Sequence, residues 1–161
     1  MKKILLYSIL FQLIIGLSFP IAAQDKENNT PEEEIIRKSV ENKKFNIAVD
    51  FAMPASMPSR YLTGNYSLIV NNDSVTIDLP YFGVAYSMPY GADGSLKYKG
   101  LYENYKSKYN KKKKQFTLNF IIRKPEDSYV ITINIWLNGK TDIHIRPNNK
   151  QSISFTGELK N

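Results

Sequence analysis

The sequence predicts an all-β fold, an antiparallel meander that closes into a barrel, with one short N-terminal α-helix. Three observations predict it. After Phe45, apolar and polar residues alternate through long stretches, the period of a strand with one buried face. Turn-forming clusters interrupt that alternation every 8–12 residues or so (about that interval marks hairpins of a barrel or sandwich). Strands do not alternate with long helical patterns, which argues against a parallel sheet. Simple hairpin order favours a sheet that curls and closes, because closure removes exposed edges.

The chain has 161 residues, enough for one core and one domain. Its start belongs to no fold. Lys2 and Lys3 precede an apolar run over residues 4–17, and Ser18-Phe19-Pro20-Ile21-Ala22-Ala23 ends it in small residues. That order reads as a signal peptide, residues 1–23, cut after Ala23. A membrane anchor would need roughly 20 apolar residues, more than the run supplies. Export places the mature protein in a periplasm or outside the cell, with no integral membrane span after signal removal. The chain has no cysteine, so neither a disulfide nor a lipid-bearing thiol is expected.

Residues 24–44 are read as a polar stub and a short helix over 31–43. Thr30 caps, Pro31 takes the first helical position, and Glu33 completes a capping box. Ile35, Ile36 and Val40 form its apolar stripe. Residues 45–160 are read as the barrel. Phe45, Ile47, Val49, Phe51 and Met53 alternate, then Tyr66, Leu68 and Val70. Asn71-Asn72-Asp73-Ser74 turns into Val75, Ile77 and Leu79. Further on, Phe116, Leu118, Phe120 and Ile122 alternate up to a turn at Lys124-Pro125-Glu126-Asp127. Tyr129 to Leu137 alternates again, and Asn138-Gly139 is a strong hairpin signal. Ile143 and Ile145, a turn at Pro147-Asn148-Asn149, and Ile153 with Phe155 complete the series.

Catalytic signals are sparse. His144 stands alone between Ile143 and Ile145 and is read as an outward strand residue. No nucleophile elbow, zinc helix or P-loop occurs. With one histidine and no cysteine, metal ligation by those two residue types is excluded, because zinc takes three or four ligands. Asp50, Asp78, Asp93 and Asp142 remain, and a hydrolase would need two of them to converge. We therefore expect no enzyme, no metal and no cofactor.

Binding signals are stronger. Residues 79–94, LPYFGVAYSMPYGADG, carry three tyrosines, a phenylalanine and three glycines in a stretch too broken for a helix. Tyrosine offers a flat apolar face and a polar tip, as recognition surfaces require. Tyr81, Phe82, Tyr86 and Tyr90 are the candidate ligand-binding residues, with Arg60 as an anion-holding neighbour. The competing reading is that these rings plug one end of the β-body. A second feature is basic. The chain carries a formal charge of +7. Lys97, Lys99, Lys106, Lys108, Lys111, Lys112, Lys113 and Lys114 lie together, with Glu103 the only acid among them. Such a patch attracts acidic glycan, lipid or an acidic protein. Lysine among tyrosine also suits single-stranded nucleic acid, but export argues against that partner.

Several separated motifs resemble one family. Leu79-Pro80-Tyr81-Phe82-Gly83-x-Ala85-Tyr86, Pro89-Tyr90-Gly91, Asn138-Gly139 and Asn148-Asn149-x-Gln151-Ser152-Ile153-Ser154-Phe155-x-Gly157 occur in the order found in the DUF4251 family. Ser59-Arg60-Tyr61-Leu62-Thr63 fits too, with Ser59 where the family usually has glycine. The resemblance implies a lipocalin-like barrel in an exported protein of Bacteroides or a related bacterium. It implies no activity. The expected function is thus non-catalytic binding of a small or glycan-like ligand or an envelope protein, through the aromatic segment. The alternative is an envelope structural or interaction protein using the lysine face. An open interior would favour the first, a filled one the second.

Overall fold

The structure, a computed structural model, describes residues 29–86, 94–125 and 127–160. The expected signal peptide, Asp93 and Tyr90 lie outside the described residues.

Helix α1 spans Pro31–Glu41. Thr30 Oγ1 accepts from Glu33 N at 3.2 Å, and Glu33 Oε2 accepts from Thr30 N at 3.0 Å, the reciprocal bonds of a capping box. The helix ends two residues short of the expected Lys43. Asn42 caps it, and Lys43 takes a left-handed φ of 53° that turns the chain into the first strand.

Among the described residues nine strands follow: β1 Lys44–Pro54, β2 Arg60–Asn71, β3 Ser74–Leu79, β4 Leu96–Leu101, β5 Glu103–Asn110, β6 Gln115–Arg123, β7 Ser128–Trp136, β8 Lys140–Pro147 and β9 Ile153–Lys160. All pair antiparallel in the order β4-β3-β2-β1-β9-β8-β7-β6-β5. First and last strands therefore lie side by side, with Asn46 opposite Lys160 and Pro54 opposite Ile153. The two ends of the sheet, β4 and β5, are consecutive in the chain and separated only by Tyr102. One nearly continuous strand thus joins β3 to β6, and the barrel is nearly closed. Alternation alone does not mark this strand pair, because its inward positions are tyrosines and its outward ones lysines. β2 also begins earlier than Tyr66, at Arg60.

Inward positions are filled. Phe120, Phe155 and Tyr129 are each no more than 1% exposed, and they share one core with Ile47, Leu68, Ile77, Leu118, Ile133 and Ile143. Tyr102 joins them. Its hydroxyl donates to Asn72 O, and burial pushes its pKa up to about 12. Side chains of this size leave the barrel axis to protein atoms, as in small barrels whose interior is just wide enough for their own side chains.

The two ends differ. α1 covers one, with Ile36 and Val40 buried. Lys114 Nζ reaches Glu33 at 2.8 and 2.9 Å, and Arg37 sits 4.3 Å from the Tyr109 ring centre. The other end carries residues 55–59, residues 80–86, Lys124 with Asp127, and residues 148–152. We call it the loop end. Among the described residues no helix is long and apolar enough to cross a membrane.

Candidate functional site

At the loop end the aromatic segment is fastened to the β8–β9 connection. Tyr86 N donates to Asn149 O at 2.8 Å, Gln151 N donates to Val84 O at 3.0 Å, and Ala85 pairs with Lys150. Gln151 is the hub. Its Oε1 accepts from Ser56 Oγ at 2.6 Å and from Val84 N at 3.2 Å. Its backbone oxygen lies 3.0 Å from the Tyr81 hydroxyl, which is also 3.0 Å from Val84 O. A phenol carries one proton, so these two carbonyls share it. Burial raises the Tyr81 pKa. A second hub is Asp127, whose Oδ1 accepts from Ser128 N, Asn148 N and Asn149 N at 2.9–3.1 Å. Four loops are thus held in fixed relation by short polar bonds.

The aromatic side chains divide by role. Tyr81 is a brace, half-buried, with Lys150 Nζ 5.1 Å from its ring centre. Phe82 is half-buried beneath Arg60, whose guanidinium carbon lies 4.4 Å from the ring centre. That is cation–π distance, and it parks the charge at the surface with its N–H groups available. Tyr86 is 68% exposed and Val84 50%. Arg60, Phe82 and Tyr86 therefore remain as candidate contact residues. Met57 and Tyr61 add exposed apolar surface on the neighbouring loop and strand, Tyr61 standing edge-on to Phe51 with centres 4.9 Å apart. Tyr61 adjoins Arg60 in the sequence and could have been read with it. Gln151 had no such signal, because its role depends on which loops the barrel brings together.

The lysines fall on one line. Lys97 and Lys99 point outward from β4, and Lys106 and Lys108 from β5. Lys111–Lys113 occupy the exposed turn to β6. Lys114 stands apart from the rest of the basic patch: its ammonium is committed to Glu33 of α1. Tyr98, Tyr105 and Tyr109, interleaved with the lysines, pack against the core instead of facing out with them.

His144 is exposed on β8, its Nδ1 2.9 Å from Ser154 Oγ. Asp50, Asp78 and Asp142 are exposed on β1, β3 and β8, strands that do not pair with one another. Among the described residues no group of three or more His, Cys, Asp or Glu side chains is placed to hold a metal.

The DUF4251 model, a domain of unknown function, matches residues 27–159. The chain belongs to the DUF4251 family. A crystal structure of a DUF4251 family protein from Bacteroides eggerthii shares the fold, with a TM-score of 0.61 at 19% identity over 80% of this chain and 86% of that one. At that identity the likeness shows the fold alone. No match is found among curated proteins. The motif residues of this DUF4251 domain now have places: Tyr81 and Gln151 lock the loop end, and Gly157 lies where β9 meets β1.

Proposed function

We propose that this DUF4251 domain is an exported, non-catalytic recognition module that binds at its surface, through the loop end. The observation that carries the reading is the contrast between the two places a barrel can bind. Its interior is occupied by buried Ile, Leu, Phe and Tyr, whereas Tyr86 and Val84 are presented on a segment fixed by Gln151 and Asn149. A preorganised exposed ring loses little entropy on binding. Tyr86 supplies a flat face for a sugar-like ring or an apolar side chain, and Arg60, held over Phe82, supplies N–H donors for a carboxylate or phosphate.

An array of bacterial oligosaccharides, read with wild type and Tyr86→Ala, tests this. Binding should be lost in the variant while unfolding free energy stays within about 0.5 kcal/mol, as for other surface changes. Collapse of stability would make Tyr86 a structural plug. Uptake of a fatty acid by the barrel would overturn the surface reading itself.

A second reading is favoured by the filled interior, as expected above, and by the outward alignment of Lys97, Lys99, Lys106 and Lys108 along a single strand line. It makes that face the binding surface for an acidic envelope component. Its binding should weaken steeply with salt, whereas the loop end should respond little.

A further inference from the structure

We propose that the outer face of β4–β7 binds an acidic polysaccharide, lying along the lysines and hydrogen-bonded by the adjoining amide and hydroxyl rows. The inference rests on the lysine-face reading above and is independent of the loop end.

The pairing register places the residues. Lys106 is opposite Asn119, Asn119 opposite Thr132, and Thr132 opposite His144. One step along, Lys108 is opposite Thr117, Thr117 opposite Asn134, and Asn134 opposite Asp142. Both rows face outward, since the residues between them are buried. Within the rows, Thr132 Oγ1 donates to Asn119 Oδ1 at 2.8 Å and Thr117 Oγ1 to Asn134 Oδ1 at 2.9 Å. These bonds fix both amides by their oxygens, leaving each NH₂ to donate outward. A cleft of about 420 Å³ opens beside them, lined by Asn104, Lys106, Asn119, Phe120, Ile121 and Val130. It sits where β5 bulges between Glu103 and Lys106.

The charge is one-sided. Among the described residues Lys99, Lys106 and Lys108 make no ion pair; Glu103 is engaged by Arg123 at 2.9 Å. Asp142 on β8 carries the opposing charge, so the favourable surface ends at β7. Ammonium groups beside oriented amides and a small apolar floor match a uronic-acid chain: carboxylate to lysine, hydroxyls to amide, ring face to Ile121 and Val130. A lipid surface would use the lysines and the exposed Leu101 but would have no use for the amide rows. That difference decides the test.

The probe is polygalacturonate, titrated calorimetrically at low and at physiological salt, with phosphatidylglycerol vesicles and neutral dextran alongside. Lys106→Gln with Lys108→Gln should weaken polygalacturonate binding about tenfold or more and flatten its salt dependence. Asn119→Ala with Thr132→Val, which removes both partners of one bond and strands neither, should also weaken it about tenfold but leave the salt dependence unchanged. Arg60→Ala and Tyr86→Ala should leave it intact. No binding of polygalacturonate or of the vesicles at low salt overturns both the proposal and the lysine-face reading; binding of the vesicles alone overturns the polysaccharide only. Vesicles bound as tightly as polygalacturonate, or indifference to the Asn119 and Thr132 changes, overturns the polysaccharide and leaves the lysine face standing. Equal binding of dextran overturns the requirement for acid.

Discussion

Alanine in place of Gly157 puts a methyl group where the closing pair of strands has no room. Gly157 lies on β9 opposite Val49, next to the irregularity in β1 at Asp50. A Cβ there would sit 2.1 Å from Ala48 O and 3.0 Å from the Ala48 carbonyl carbon and Val49 Cα. Carbon and carbonyl oxygen approach to about 3.3 Å at closest, so roughly 1.2 Å of separation must be found. The obstructing atoms are backbone, and no side chain can swing aside. Opening β1 from β9 that far stretches the flanking N–H···O bonds beyond about 3.5 Å, where they cease to count. Two such bonds lost inside the barrel wall, at about 1–3 kcal/mol each for groups left unsatisfied, cost about 2–6 kcal/mol. That is a large fraction of the roughly 5–15 kcal/mol by which a domain is stable. Urea unfolding followed by Trp136 fluorescence and far-UV circular dichroism measures it, with Thr156→Ala on the outward face as a control. A loss below about 1 kcal/mol for Gly157→Ala would refute the steric reasoning, since even ordinary overpacking costs that much.

Two further predictions concern single groups. The Lys114 ammonium and the Thr30 N–H hold the Glu33 carboxyl below its ordinary pKa of 4.5. A depressed acid stabilises the folded state above that value and loses its contribution as pH falls through the lowered one, so protection of the α1 amides from hydrogen exchange should drop below about pH 4.5. Lys114→Met should weaken that acid response, and an unchanged pH profile would remove Lys114 from the account. Thr141, only 1% exposed among inward-facing apolar side chains, has a hydroxyl with no hydrogen-bond partner among the described residues. Thr141→Val should therefore raise unfolding free energy by about 1 kcal/mol, because an unmade buried bond disappears with the group; a loss of stability in urea would show that the hydroxyl is satisfied.

The barrel was legible because its rule is local. Phe116 to Ile122, Tyr129 to Leu137 and Ile143 to Ile145 alternate as strands must, and Thr30 with Pro31 and Glu33 announces a helix start. The strand from Leu96 to Asn110 escaped that rule because tyrosine does the inward work there and lysine the outward, a pattern that resembles a charged surface segment. The candidate site was only half legible. Aromatic density pointed to residues 79–94, but separating the brace Tyr81 from the presented Tyr86 requires knowing where Gln151 lies, some seventy positions along the chain. The amide rows beside the lysines were not visible at all: Asn119 and Thr132 become neighbours only once β6 and β7 are in register.

Pairing of β1 with β9 also sets the order in which the molecule can be made. β1 emerges early in synthesis and its second partner emerges last, so the contacts that complete the ring span nearly the whole domain. Long-range closures of this kind slow folding. Until β9 arrives, β1 and β8 each offer an open ladder to any passing strand. The chain is therefore most exposed to mispairing in the interval before its final strand is available, and the missing side chain at Gly157 lets that late strand settle against one already in place.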